Sequence, residues 1–303
     1  MAQIYAQGQK NMAALTVDDV YIIIIPPGPA IIQGIPTAVI GMVGTGHWGP
    51  IDSVISVGSP QEALQMLGPI TSSEPNDMPT AIAVAGLTGA NDFRCIRITD
   101  GSEAAAIIAI LNGTDATLVT LTGYYTGTLG NDIEVYVVTG SAANTVRVTI
   151  QLANSTQPKE IFDNIPNSTG QEFSDALVSA INNGQNALRG PSIYVTAAEG
   201  ADVSGPAVLN TLNVPYTSAT TGGTLGADGN DGVTLADLIG NATDPAGMYL
   251  LENSGAFQFI LCGHNPVDQQ DGVLLLTGWS EVVTFAKSRG MMAILGFPTG
   301  TTS

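Results

Sequence analysis

The sequence is short of charge. Only 11% of its 303 residues are Asp, Glu, Lys or Arg, against about a quarter in an ordinary soluble domain. Positive charge is scarcer still: 8 Lys and Arg stand against 26 Asp and Glu, a net charge of −18. The imbalance is even along the chain, with two or three bases among eight or nine acids in each of the segments 1–103, 104–222 and 223–303. No basic patch is available to neutralise phosphates, which argues against nucleic-acid binding. A surface so poor in charge is built from Thr, Ser, Asn, Gln and Gly, or is covered by something else.

Long hydrophobic runs are missing as well. The run Ile22–Ile25 stops at Pro26-Pro27, about one helical turn, where a membrane-spanning helix needs roughly 20 apolar residues. Asp18 and Asp19 precede it, with no basic leader and no small-residue cleavage site after it, so it does not read as a signal peptide. There are two cysteines, Cys95 and Cys262, both inside strand-like stretches. They are expected to be free buried thiols acting as small hydrophobes.

Catalytic constellations are also lacking. There is no H-E-x-x-H, no C-x-x-C and no G-x-S-x-G, and the glycines of TGTLGND (126–132) have the wrong spacing, and no following lysine, for a phosphate loop. Two histidines, His47 in GTGHWGP and His264 in CGHNP, each follow a strand end, where α/β proteins place their sites. Without further ligands at metal spacing, structural roles are expected for both. Asp228 and Asp231 in GADGNDG hint at calcium, but the spaced ligand set is incomplete and a solvated Gly/Asp turn is the expectation. No catalytic centre, cofactor or metal is expected, and the chain does not read as an enzyme.

What the sequence has is 44% hydrophobic residues, 36 Gly and 17 Pro, the mark of a strand- and turn-rich globular protein long enough for roughly two domains. Residues 1–20 show no sustained period and read as an extended N-terminal arm. Val20, Tyr21, Ile22, Ile23, Ile24 and Ile25 read as a short strand, apolar on both faces and stopped by the prolines. PTAVIGMVG is a second such strand. SPQEALQMLG is a helix with Ser59 as N-cap, Pro60 at its first position, Glu62 closing a capping box and Gly68 as its stop. MPTAIAVAGLTGA reads as another helix and FRCIRIT (93–99) as a strand. This rhythm predicts a covered, largely parallel sheet.

After Glu103 the pattern changes. AAIIAI, TLVTLT, DIEVYVVT, NTVRVTIQL and PSIYVTA read as short strands. A single helix interrupts them, with Phe173, Ala176, Leu177, Ala180 and Ile181 on its apolar face and Ser168 with Gln171 as its capping box. TSATTGGTLGADGNDG (217–232) reads as a linker. Beyond it TLADLIG, FQFILCG, DGVLLLTGWSEVVTFAKSRG and MMAILGFP resume the α/β rhythm. The fold class is therefore α/β in its core and mixed α+β overall. The predicted organisation is an arm (1–20), a core domain in two parts (21–103 and 223–303) and an inserted β-rich domain (104–222).

The order of these signals resembles a known family. DDVYIIIIPPGPAIIQGIPTAVIGMVGTGHWGPIDSVISVGSPQEALQMLGP is similar to the N-terminal signature of contractile-tail sheath proteins of bacteriophages and related injection machines. MPTAIAVAGLTGANDFRCIRITDG resembles the family's next helix–turn–strand block. GTLGNDIEVYV resembles the opening of its inserted domain, GADGNDG the return to its core, and AKSRGMMAILGFP a later core block. Gly296 departs from the family, which often has Asp there, and no counterpart of the family's C-terminal domain is seen before Ser303.

The resemblance implies a structural subunit of a virion tail, assembled in the host cytoplasm with copies of itself around an inner tail tube and against a baseplate. No cofactor, nucleic acid or membrane is involved. It also implies a role for residues 20–25 as an inter-subunit strand added to a neighbour's sheet. Two rivals stand beside it. One is an α/β enzyme, favoured if a pocket brings His47 and His264 together; the other is a carbohydrate-binding surface protein, for which Tyr124-Tyr125 is the only aromatic candidate. Trp48 and Trp279 are expected to pack or to cap an interface.

Overall fold

Strand β3 (Ile40–Gly44) is buried at every residue, as its unbroken apolar sequence requires of a strand covered on both faces. It is the central strand of a five-stranded sheet in the computed structural model, which describes residues 5–6, 9–10, 39–71, 74, 76–153, 155, 157–185, 189–201, 203, 214–256, 258–262 and 280–295. The chain divides into two units, Met1–Ile35 and Pro36–Ser303. In the first, β1 (Tyr5–Ala6) and β2 (Gln9–Lys10) pair antiparallel. The region read as a plain extended arm therefore holds a two-residue ladder. The strand expected at Val20–Ile25 lies outside the described residues.

In the second unit, β4 (Val54–Val57) follows β3 and leads into α1 (Pro60–Met66). Ser59 caps α1 by accepting from the Glu62 amide at 3.1 Å, as expected, but the Glu62 carboxylate reaches back to the Gly58 amide at 2.7 Å, one residue earlier than in a standard box. Helix α2 (Met78–Leu87) is capped by Asp77, whose Oδ2 accepts from the Thr80 amide at 2.9 Å. Next comes β5 (Phe93–Arg97). β3 and β5 pair in parallel, with Ile40 opposite Phe93 and Gly44 opposite Arg97. β4 pairs with β5 antiparallel at the sheet edge. The sequence reading missed β4, four residues of alternating burial between a glycine-rich turn and a helix cap.

The described residues of 104–222 build two three-stranded antiparallel sheets and a helix. β6 (Ile107–Leu111) and β7 (Thr117–Gly123) form a hairpin. β8 (Ile133–Thr139), β9 (Thr145–Leu152) and β10 (Glu160–Pro166) form a meander. α3 (Gly170–Asn183) then leads to β11 (Val195–Glu199), which pairs with β7. The cap of α3 is Thr169, accepting from the Glu172 amide at 3.2 Å, and not Ser168. Phe173, Leu177, Ala180 and Ile181 are buried on the predicted face, in one cluster with residues from both sheets.

The chain then returns through α4 (Leu235–Ile239) and a 3-10 segment (Gly247–Asn253) to β12 (Gln258–Leu261), a helical stretch over 280–289 and β13 (Met292–Ala293). β12 pairs in parallel with β3 on the side opposite β5, and β13 with β12. The sheet order is β13-β12-β3-β5-β4. FRCIRIT and FQFILCG thus share one sheet, separated by β3. Cys95 and Cys262 are free and buried, as their strand setting implied.

Truncation of Phe173, which is fully buried in this cluster, is expected to lower stability by about 3–5 kcal/mol. In urea titration the Phe173→Ala midpoint should fall with the slope unchanged; a midpoint within error of the parent would mean that α3 is not docked on the two sheets.

Candidate functional site

Among the described residues, the buried polar side chains of Thr45, His47, Asp77, Arg97 and Asn230 gather around the carboxyl ends of β3 and β5. In an open parallel sheet this is where ligands bind, at the point where neighbouring strands lead the chain in opposite directions. Here that point lies between β3, whose chain runs on to β5, and β12, whose chain runs on to β13. Thr45 continues β3 and bridges to Asp77. His47 follows, its amide donating to the Leu67 carbonyl at 2.8 Å and its own carbonyl accepting from the Leu129 amide at 3.2 Å.

Two distant stretches close over this end. Residues 104–107 and 224–227 run antiparallel, with bridges Ala104–Ala227 and Ile107–Thr224. The short 3-10 turn Thr128–Asp132 stands beside them. Asn131 ties the two together, its Oδ1 accepting from the Gly226 amide at 2.7 Å and its Nδ2 donating to the Gly226 carbonyl at 3.1 Å. Asp228 does the same for Thr128: its Oδ1 accepts from the amide at 2.5 Å and its Oδ2 from the hydroxyl at 2.8 Å. The stretches GTLGND and GADGNDG, joined through residues 95 and 100 positions apart, are one knot.

Arg97 holds the knot to the sheet. It is fully buried, and its guanidinium donates to three carbonyls from three segments: Gly49 at 2.9 Å, Thr126 at 2.7 Å and Asp228 at 3.1 Å. Burial brings its pKa down to about 10, against the opposing pull of Asp228 and Glu103, so the group stays charged at neutral pH. Carbonyl dipoles and nearby carboxylates compensate the buried cation here in place of a paired salt bridge.

His47 is the second tie. Its Nδ1 lies 2.8 Å from Asp228 Oδ2. Its Nε2 makes no hydrogen bond but faces Glu74 Oε2 at 3.5 Å and Asp77 Oδ1 at 3.9 Å. Burial alone would push the His47 pKa down; the hydrogen bond to Asp228 and the charges of Asp228, Glu74 and Asp77 outweigh it and raise the value above 6.5. Burial likewise works to raise Asp228, but the bonds from His47 and Thr128 pull it below 3.8. Next to His47, Trp48 turns the other way, into the apolar cluster of the two antiparallel sheets. There it meets Tyr125 edge-on, with centroids 5.5 Å apart. Adjacent residues of one loop thus supply a polar and an apolar tie.

The glycines follow from the closeness of the crossing. Gly127 has φ +135°, and a Cβ there would fall on the His47 carbonyl. A Cβ on Gly226 would sit 2.6 Å from the Gly127 carbonyl oxygen. These glycines serve close backbone approach and not phosphate binding.

Of the residues singled out in the sequence, His47 is in the knot and Asp228 is a correction. It is no solvated turn residue: its side chain is 12% exposed and fully engaged, whereas Asp231 is exposed. His264 and Trp279 lie outside the described residues. Tyr124 is half exposed and meets Tyr125 edge-on at 78°, and both line an apolar groove of about 960 Å3. Among the described residues no group of three or more His, Cys, Asp or Glu is arranged to hold a metal ion, and no helix is long and apolar enough to cross a membrane. Arg97, Glu74, Asp77, Thr128 and Asn131 were missed. Arg97 carried a signal, being one of two arginines, with Arg94, in a strand otherwise made of Phe93, Cys95 and Ile96.

No protein-family model and no curated protein matches the chain. Among solved structures it is similar to the sheath tail protein of Listeria innocua, with TM-score 0.48 and 16% identity, covering 84% of this chain and 47% of that one. It is likewise similar to the sheath tail protein of Desulfitobacterium hafniense, with TM-score 0.47 and 14% identity over 84% of this chain and 48% of that one. The chain spans about half the length of these proteins.

Any side chain at position 127 must displace the His47 carbonyl and adopt a positive φ. Gly127→Ala is therefore expected to destabilise the protein by at least about 2 kcal/mol, measured by chemical denaturation, while Gly101→Ala, with nothing within 4 Å of its Cβ, serves as the control for backbone strain alone. Equal losses in the two variants would contradict the close crossing.

Proposed function

We propose that this chain is a structural subunit of a contractile-tail sheath. It would assemble as a helical homo-oligomer around an inner tail tube, with a baseplate at one end, and contract by rigid-body rearrangement of its subunits. The observation that carries the reading is the knot. The two sequence blocks that resemble the opening and the return of the family's inserted domain are bound to each other through Asn131 and Asp228. This gives the motifs a mechanical reason: they hold the insert firmly on the core, as a subunit that must move as one body needs. On this reading residues 21–103 and 223–303 form the core and 104–222 the insert.

The poverty of charge fits the same proposal. Interface centres between protein copies are depleted of charged side chains, and a subunit that contacts neighbours on several sides has little free surface to solvate. At the carboxyl ends of β3 and β5, where an enzyme of this class would bind substrate, the chain's own segments 126–129 and 226–230 close over the sheet.

Residues 20–25 are proposed as the strand donated to a neighbouring subunit. Burying each isoleucine there would contribute about 1.5–3 kcal/mol, repeated around every ring. The test is electron microscopy of the whole gene product and of a variant lacking residues 1–27. The parent is expected to form tubes, and the deletion to give soluble monomers with the parent's melting temperature. Absence of tubes from the parent would overturn the sheath reading; a deletion that unfolds the subunit would place the strand in its own core.

A further inference from the structure

Deprotonating His47 would leave the knot with an excess of negative charge. The groups that face the imidazole come from every segment around it. Asp228 belongs to the return segment, Glu74 to the loop before α2, and Asp77 to the cap of α2. Thr128 of the 3-10 turn lies 3.4 Å from Nδ1. Arg97, on β5, binds the Asp228 carbonyl and also feels the charge of Glu103. Asn230 donates to Glu74 at 3.1 Å, and the Cys262 thiol at the end of β12 is pushed up to about 12, first by burial and then by Asp77, so it remains neutral. Three carboxylates therefore face one imidazole, and the guanidinium beside them acts on Asp228.

As imidazolium, His47 donates from Nδ1 to Asp228 and points its Nε2 proton at Glu74 and Asp77. As neutral imidazole with Nδ1–H kept on Asp228, it turns a lone pair toward two carboxylate oxygens, Glu74 Oε2, which has Asn230 as a donor, and Asp77 Oδ1, which has no hydrogen-bond partner. The second form weakens both attachments at once.

We propose that His47 is a protonation-dependent latch: charged, it fastens the return segment 226–230 and the loop before α2 to the end of β3, and neutral, it lets them loosen. The loosening is local, because the antiparallel sheets and Trp48 are held by apolar burial that does not titrate. The sign follows from the two groups. The folded pKa of His47 lies above 6.5, so its contribution is complete below 6.5 and is lost as pH rises through the folded value. That of Asp228 lies below 3.8, so its contribution is present above 3.8 and is lost as pH falls through the folded value. The knot is tightest between these limits and opens on the alkaline side through His47. The latch is a property of the fold and does not depend on the sheath reading.

With two histidines in the chain, His264→Gln leaves one imidazole signal to follow by NMR. Its titration midpoint is expected above 6.5. Hydrogen exchange of the Thr128 amide, corrected for the intrinsic rate, is expected to rise about tenfold between about pH 6 and pH 9, while the Val148 amide in β9 stays unchanged. In His47→Gln the Thr128 rate should no longer depend on pH. A midpoint at or below 6.5, or equal protection of Thr128 at both pH values, would overturn the proposal. Should His47→Gln fail to fold, Asp228→Asn in the His264→Gln background decides the matter, since its His47 midpoint must fall; an unchanged midpoint refutes the latch.

Discussion

A guanidinium with no access to water must find its hydrogen bonds within the protein, and the arrangement around Arg97 follows from that need. Removing such a group from water is expensive unless its protons are met. Arg97 meets those of its two terminal nitrogens with carbonyls from the loop after β3, from the residues leading into the 3-10 turn and from the return segment, while its Nε has no hydrogen-bond partner. None of these is its sequence neighbour. The cation therefore brings together three segments that local propensity would leave independent. Once they are gathered, the Asp228 carboxylate meets His47 and Thr128, and the Asn131 amide meets Gly226. The glycines at 127 and 226 let the backbones come that close.

Polar and apolar ties divide the labour. His47 and Arg97 fix direction and register, because hydrogen bonds are angular and an unmet buried group is costly. Trp48 supplies attachment through burial against the cluster around Ile133, Val148 and Phe162, a force without direction. A subunit proposed to rearrange as a rigid body needs both, since burial alone would let the two antiparallel sheets rock on the five-stranded one.

Much of this was legible in the sequence where the determinants are local. Ser59, Pro60 and Gly68 mark α1 because caps act within a turn, and the alternation in TLVTLT and DIEVYVVT marks β7 and β8. β10 was missed because its ladder slips between Phe162 and Ile165 and Asn164 takes φ +59°, which breaks the period a reader counts. Thr169 displaced Ser168 as a cap by one residue, a choice decided by backbone angle and not by side-chain type. The knot was the least legible part. Asp228 read as a solvated turn because its partners lie 100 and 181 residues away, and no local pattern announces such a contact. Arg97 offered the one hint, a cation between Ile96 and Ile98 in a strand whose pattern called for burial, although Arg94 shares that strand.

The central claim, that Arg97 fastens the crossing segments to the sheet while the antiparallel sheets stand on their own apolar core, is tested most directly by hydrogen exchange on Arg97→Met. The amides of Gly127, Thr128 and Gly226 should lose protection, and those of Val135 and Val148 should keep theirs. Uniform loss across all five amides, or unchanged protection at the first three, would contradict it.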